Sequence, residues 1–296
     1  SGSPGLKGVG PAAYSKNHGG VYGKYMLDNK TFAGEFNFDR NAVHYYGYNS
    51  EDSILDKSQI AQRFNIFGLK LNFATNYLKR DKIDYSAGID WNSVNDKYEV
   101  NESDVRVHGF VGKDMESFYL KTDLSFDYFK KSRANYELFS SNTDLSRHII
   151  NVVPMIQLKN EKARLNLGVD LALEKNLESE IHLFPKVDFS LPIAENIFYL
   201  FANVSGGVVK NNFLTMALEN PFVNSTVQPM NTINKIELKG GMNGSFSSRV
   251  SFLAFVKYSS FDRLQLYYND SISSNKFNTL YTNGKVLNIH GELTYR

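Results

Sequence analysis

Apolar and polar residues alternate along most of this chain, in about a dozen stretches of roughly ten positions each. In the stretch 165–174, the odd positions are Leu or Val, and the positions between them are small or polar. The stretches 83–92, 120–128 and 287–296 repeat the pattern. A period of two places successive side chains on opposite faces of a strand. The chain is therefore predicted to be all-β, with one apolar and one polar face to each strand.

The length of these stretches narrows the class of β protein. Strands of soluble sheets are commonly about 5–6 residues long, whereas a strand that crosses a bilayer at a tilt needs roughly 9–11. The polar faces carry carboxylates and lysines, which stay hydrated when they line a wet interior. The pattern predicts an antiparallel transmembrane β-barrel, apolar outside and polar inside.

Composition is compatible with this prediction. The mean hydropathy is −0.36, as expected when only every second residue of a strand faces lipid. The chain contains 18 Tyr and 22 Phe, which suits the aromatic girdles at membrane interfaces. A soluble β-sandwich rich in Tyr and Phe remains an alternative, because those residues favour any strand.

Short and long connections between the strands alternate, as they do in outer-membrane barrels. The predicted long loops are 49–58, 93–102, 130–143, 210–231 and 264–283, with a shorter one at 175–179. This division gives about 13 crossing strands, an odd number, whereas bacterial barrels have an even number. We therefore expect a barrel or a large part of one, with strands missing upstream, downstream or both. The predicted division is a flexible N-terminal segment 1–18 and a single barrel domain 19–296.

Local exceptions to the pattern carry their own predictions. Pro154 and Pro185 fall on the apolar face of strands, where proline removes a ladder hydrogen bond and requires an edge or a bulge. The glycine pairs 206–207 and 240–241 mark a bend or the place of a neighbouring aromatic ring. The segment 213–219 is predicted to form a short helix, which the following Asn-Pro ends.

Charge and chemistry exclude several functions. The net charge of +2 leaves no basic stripe for nucleic acid, and the basic group Lys130, Lys131 and Arg133 is predicted to be a solvated loop end. The six histidines have no metal-ligand spacing and cysteine is absent, so we expect no metal and no cofactor. No catalytic motif occurs, and carboxylates that could serve a glycosidase have similar density on most strands. The chain is predicted not to be an enzyme.

Clustered tyrosines are the candidate ligand-binding residues. They lie beside Asn and Asp in predicted loops, where exposed Tyr suits stacking on sugars or contact with a protein. An aromatic girdle at the outer membrane surface explains them as well. The candidates are Tyr45, Tyr46, Tyr48, Tyr267 and Tyr268.

One region of the chain resembles a known family. The segments Asn220-Pro-Phe-Val-Asn and Val227-Gln-Pro-Met-Asn precede a predicted strand pair at 236–246 and 250–258. This arrangement resembles the barrel region of TonB-dependent receptors, over about residues 19–296. The resemblance implies uptake of a small nutrient or glycan across the outer membrane of a Gram-negative bacterium, with the barrel embedded in outer-membrane lipid. It also implies an energised inner-membrane partner that displaces a plug, acting through regions outside this chain.

Two other functions remain open at this point. The first is a soluble or surface-attached β-sandwich that binds glycans or proteins. The second is an enzyme that uses a pair of carboxylates.

Overall fold

The computed structural model of the protein describes most of the chain. The described residues are 2–3, 13–45, 60–75, 82–132, 145–158, 163–176, 178–193, 197–271 and 275–295.

These residues form fourteen strands and one helix. The strands are β1 (Gly2–Ser3), β2 (Tyr14–Leu27), β3 (Lys30–His44), β4 (Ala61–Thr75), β5 (Ile83–Asp96), β6 (Asn101–Asp114), β7 (Phe118–Ser132), β8 (Leu145–Leu158), β9 (Arg164–Lys175), β10 (Ser179–Ile193), β11 (Phe198–Val209), β12 (Thr232–Ser245), β13 (Val250–Asn269) and β14 (Phe277–Tyr295). The helix α1 (Phe213–Glu219) lies between β11 and β12. Among the described residues, no helix is long and apolar enough to cross a membrane.

The strands form one sheet in which each strand pairs only with its neighbours in the chain, in the order β1 to β14. Every pair is antiparallel, and β2 to β14 are 12–20 residues long. The described residues show no pairing that closes the sheet between β14 and β1. This confirms an antiparallel barrel-type sheet of about 13 crossing strands. A β-sandwich needs two sheets packed face to face, so the sandwich alternative is not the fold observed in the described residues.

The two faces of the sheet differ as the alternation predicts. On β9, the side chains of Leu167, Val169 and Leu171 are 39–44% exposed. At the alternate positions that follow, Ala172 and Glu174 are buried on the opposite face. We call the exposed apolar side the outer face and the opposite, largely polar side the inner face.

Three element boundaries differ from the sequence prediction. The predicted long loop 93–102 is a short turn, because β5 continues to Asp96 and β6 begins at Asn101. The predicted loop 264–283 is mostly strand, and only 270–276 separates β13 from β14. Strand β2 begins at Tyr14, inside the segment 1–18. The predicted loops 49–58 and 130–143 lie largely outside the described residues.

The two prolines are accommodated in different ways. Pro185 lies where β10 pairs with β9 alone, because pairing with β11 begins only at Val187. Pro185 therefore occupies a local edge, one of the two settings expected. At Pro154, which pairs with Thr122 of β7, the described pairs between β8 and β9 skip two positions without a change of register.

Candidate functional site on the inner face

The connection 210–231, which we call the inner loop, folds back against the inner face. Its helix α1 begins after Asn212, whose side chain accepts a hydrogen bond from the Thr215 N–H at 2.8 Å. The Thr215 hydroxyl lies 3.0 Å from the Asn212 N–H, which completes a capping box. The helix covers 213–219, as the sequence predicted.

The apolar side of α1 supplies the buried core of the molecule. Phe213 and Met216 are fully buried, and the rings of Phe213 and Phe64 lie 6.0 Å apart, edge to face. The surrounding cluster comprises Phe64, Ile66, Val94, Val100, Phe213, Leu214, Met216, Ala217, Val223 and Val227. Burial of these side chains holds the inner loop inside the curve of the sheet.

A buried carboxylate of β6 receives the start of α1. Glu102 accepts hydrogen bonds from the N–H groups of Phe213 at 3.0 Å and Leu214 at 3.1 Å. These N–H groups have no partner within the helix, and the helix start carries a partial positive charge. The carboxylate satisfies both donors and complements that charge.

Two buried cations bind the inner loop, Lys131 near its end and Arg147 at both its start and its end. Lys131 donates to the carbonyl of Ser225 at 2.9 Å and to that of Val227. Arg147 donates to the Asn211 carbonyl at 2.8 Å and to the Asn231 side chain at 3.3 Å. Because these cations bind carbonyls of the loop, separating them would leave buried polar groups unpaired. The prediction that Lys131 is part of a solvated loop end is wrong, since the inner loop buries it; Arg133 lies outside the described residues.

Lys210, the first residue of the inner loop, forms ion pairs with two strands. Its ammonium lies 2.8 Å from Asp104 of β6 and 3.0 Å from Asp127 of β7. Burial by itself would lower the pKa of Lys210, but the two carboxylates outweigh burial and raise it above its ordinary value. The ammonium therefore stays charged throughout the physiological pH range.

A cleft of about 440 Å³ opens on the inner face beside Lys210. Its charged side chains have both signs, and Asp127 forms ion pairs with both Arg106 and Lys210. The charged side chains are Arg106, Asp123, Asp127, Asp170, Lys186 and Lys210. Such a surface can bind and guide polar solutes by hydrogen bonds and charge, which is the chemistry of a wet channel wall.

A cluster at the loop end of β9 and β10 has the composition of a metal site but is occupied by an arginine. Glu174, Glu180 and His182 bring potential ligand atoms within 4.8 Å of one another. Arg263 binds Glu174 at 2.6 Å and Glu180 at 3.1 Å. The guanidinium takes the position that a cation would need, so the geometry is that of an ion-pair cluster.

The described tyrosine candidates do not converge on one site. Tyr45 is 1% exposed, and its ring lies 6.2 Å from that of Phe222, so the expectation of an exposed ring is wrong for Tyr45. Tyr267 donates to Glu219 at 2.9 Å on the inner face, whereas Tyr268 is 50% exposed on the outer face, as a girdle residue would be. Tyr46 and Tyr48 lie outside the described residues. A ligand-binding role for these five tyrosines stays a prediction.

One member of each glycine pair gives space to an aromatic ring. A Cβ on Gly241 would lie 2.8 Å from the Phe201 ring, and one on Gly206 would lie 2.6 Å from Phe184. Both rings pack across the glycine of a neighbouring strand, as the sequence predicted.

The residues that anchor the inner loop were missed by the sequence analysis. Glu102, Arg147 and Asn231 contact partners that are far away in the chain, and no local motif marks them. The one available signal was the presence of charged residues at the predicted loop ends of apolar strands.

Comparison with known proteins gives the same fold. No protein-family model matches the chain, and no curated protein matches it in sequence. Among solved structures, it is similar to the copper transporter OprC, with a TM-score of 0.62 and 13% identity over 96% of this chain and 50% of that one. It is also similar to the siderophore receptor PirA from Acinetobacter baumannii, with a TM-score of 0.67 and 8% identity over 96% of this chain and 51% of that one. A ferric enterobactin receptor, PfeA from Pseudomonas aeruginosa, gives a TM-score of 0.67 and 10% identity over 97% of this chain and 50% of that one.

These similarities define the fold class. The chain has the fold of the barrel region of TonB-dependent receptors, which confirms the resemblance noted in the sequence, and it spans about half the length of the structures it matches. The matched structures are a copper transporter, a siderophore receptor and a ferric enterobactin receptor, and none of the three is named as an enzyme.

Proposed function

We propose that this chain forms a large part of the barrel of a TonB-dependent-type receptor in the outer membrane of a Gram-negative bacterium. The observation that carries the proposal is one antiparallel sheet of long strands, with an exposed apolar outer face and a charged inner face. An aqueous interior and a lipid exterior require this arrangement. The similarity in fold to receptors for siderophores and a copper transporter supports the same class.

The substrate of the proposed receptor is a small polar nutrient or glycan. The inner face supports this proposal because its charged groups have both signs and border an open cleft. Uptake would be driven by an energised inner-membrane partner, which acts through regions of the protein outside this chain. The five tyrosines predicted from the sequence, Tyr45, Tyr46, Tyr48, Tyr267 and Tyr268, remain candidates for contact with the substrate.

Membrane extraction tests the proposed class. The full-length protein is expected in the outer-membrane fraction, and it should stay there after washes with carbonate that release peripheral proteins. In gels it should migrate faster without boiling than after boiling, because a barrel resists detergent at room temperature. Recovery in the soluble fraction without detergent would overturn the proposal.

Uptake is tested separately, by growth on candidate nutrients with and without the full-length protein. Growth that depends on the protein and is lost when the proton gradient is collapsed supports energised uptake. Growth that survives collapse of the gradient would instead indicate passive diffusion through the barrel.

A further inference from the structure

The wall formed by the sheet is incomplete between β10 and β11. The two strands pair from Val187–Val204 to Ile193–Phe198, over the half nearer their short connection. In the other half, the described residues 179–186 of β10 pair only with β9, and 207–209 of β11 pair only with β12. The sheet therefore has a seam, and two half-strands lack a partner along it.

Side-chain exposure supports the seam independently. Ile181 and Leu183, on the outer face of β10 beside the seam, are 73% and 70% exposed. Those values match Ile289 and Leu293 on the terminal strand β14, at 76% and 70%. Outer-face residues such as Leu171, which have strands on both sides, are far less exposed. The loop half of β10 is thus exposed to the degree of a sheet edge.

Two bulged strands lie at the level of the seam. The pairing of β12 with each of its neighbours shifts register at Lys235, where β12 has an extra residue, and the pairing of β13 with β14 shifts at 262–263, where β13 has an extra residue. The paired residues beside the bulges run from Gly207 to Asn234 to Phe261. A bulge bends its strand and redirects a side chain, so β12 and β13 are expected to bend at the level where β10 and β11 cease to pair.

The inner side of the seam is closed by an apolar contact. Phe184 is buried and lies over Gly206, whose absent Cβ leaves room for the ring. Phe184 belongs to a cluster with Ala172 and Ile233, against which Val208 packs. These side chains join β9 and β10 to β11 and β12 without backbone pairing.

An ion-pair latch spans the seam at the loop end of β9 and β10. Arg263 of β13 binds Glu174 of β9 and Glu180 of β10 through separate guanidinium nitrogens. Arg263 has a φ of 53°, a left-handed conformation that costs a non-glycine residue free energy. The latch therefore joins strands from the two sides of the seam and uses a strained residue to do so.

The notch outside the latch, of about 590 Å³, has an amphipathic lining. Ile181, Leu183 and Ile233 supply apolar surface, while Lys235 and Asp262 form an exposed ion pair at 2.8 Å. An apolar chain can lie along the first group, and a small anionic head group can replace Asp262 at Lys235. The lining fits an anionic single-chain amphiphile that reaches the notch from the membrane.

We propose that the seam between β10 and β11 is a lateral portal, through which an anionic single-chain amphiphile passes between the membrane and the inner face. The proposal rests on the proposed function in one respect, which is that the outer face lies in a bilayer. The Arg263 latch and Phe184 keep the portal closed, and their release opens it.

Photo-crosslinking tests the portal in the full chain reconstituted in phospholipid vesicles. The probe is a fatty acid with a diazirine in its tail, and the labelled residues are mapped by mass spectrometry. We expect label on the inner side of the seam, at Val208 and Lys210 of the inner-face cleft, in addition to the outer face. Arg263→Gln should raise the inner-side label about tenfold, the change that corresponds to a loss of about 1.4 kcal/mol from the closed state. The matched control Arg249→Gln, in an exposed turn, should leave it unchanged.

A crosslink across the seam distinguishes passage through the portal from an effect of the substitutions on folding. The chain has no cysteine, so Glu180→Cys combined with Arg263→Cys provides the only two thiols. Joining them with a short bifunctional reagent should abolish inner-side label, compared with the same protein left unjoined.

Three outcomes would count against the portal. Inner-side label that is equal in the joined and unjoined protein would overturn it. Label confined to outer-face residues such as Leu167 and Leu200 would overturn the portal and leave the barrel in place. Absence of label from the outer face as well would overturn both the portal and the proposed function.

Discussion

Replacing Glu102 with alanine is expected to release the start of α1 from the inner face. Glu102 accepts hydrogen bonds from two N–H groups at the first turn of the helix, at 3.0 and 3.1 Å. The carboxylate is 2% exposed, so water does not replace it in the closed arrangement. Alanine would leave both donors buried without a partner.

The expected loss follows from these two bonds. A hydrogen bond to a charged group contributes about 1.5–3 kcal/mol, and Glu102 accepts two such bonds. We therefore expect Glu102→Ala to lower the free energy of opening the inner loop by roughly 3–5 kcal/mol. The capping box of Asn212 and Thr215 remains, so the helix itself need not unfold. Glu102→Gln keeps the shape and one acceptor oxygen, and should lose roughly half as much.

Hydrogen exchange of the α1 amides measures this loss. If these amides exchange by local opening of the inner loop, a loss of 3–5 kcal/mol accelerates exchange by roughly a hundredfold to a few thousandfold. Glu116→Ala, in an exposed turn at the opposite end of β6, is the control and should leave α1 exchange unchanged. Exchange in β7 reports whether the sheet itself has been disturbed.

Equal α1 exchange in Glu102→Ala and Glu116→Ala would refute this reasoning. It would mean that the apolar side of α1 holds the loop without help from the carboxylate. Acceleration in α1 and β7 together would instead show that Glu102 stabilises the sheet rather than the loop.

Three further predictions address the faces, the packing and the charges of the sheet. Val169→Arg should lower the free energy of unfolding in a bilayer by roughly 2–4 kcal/mol, because it places a charge near the midplane. Asp170→Arg, on the inner face, should lower it much less, and denaturant unfolding in vesicles compares the two variants. Gly241→Ala should lower the free energy of unfolding by about 1–3 kcal/mol, because its Cβ would meet the Ala254 carbonyl and the Phe201 ring. Gly240→Ala, whose Cβ would have open space, should be nearly neutral in the same measurement. The raised pKa of Lys210 means that its stabilisation of the inner loop is complete below its unfolded pKa and is lost as pH rises through the higher folded value. Proteolysis of the inner loop should therefore be constant from about pH 6 to 9 and increase only in stronger alkali, and an increase within the neutral range would contradict the assignment.

The sequence predicted the features that depend on local pattern. The faces of β9 follow from strict alternation over ten positions, and α1 follows from a short apolar segment before Asn220 and a proline. The extension of β5 to Asp96 was missed because Asn95 and Asp96 are polar and were interpreted as loop. In the structure, β5 pairs with β6 as far as Asn95, beyond the alternating stretch 83–92. Paired N–H and C=O groups are favoured whether or not lipid surrounds them.

The contacts of the inner loop and the seam could not be predicted in this way. Glu102 and Phe213 are separated by 111 residues, and only the curvature of the sheet brings them together. The seam lies beside bulges in β12 and β13, and neither bulge has a distinctive local sequence. The advance indications were Pro185, which required an edge or a bulge in β10, and the glycine pair 206–207, which was predicted to mark a bend or the place of an aromatic ring in β11.

The central claim is that the apolar outer face contacts lipid and the polar inner face contacts water. A nitroxide scan along β7 from Leu120 to Tyr128, with the protein in vesicles, tests this claim most directly. Labels at Leu120, Leu124 and Phe126 should be accessible to oxygen, and labels at Lys121, Asp123 and Ser125 to a water-soluble relaxation agent, with a period of two. If the labels at Leu120, Leu124 and Phe126 were immobile and inaccessible to oxygen, the apolar face would be a protein core, and the account of a membrane barrel would be contradicted.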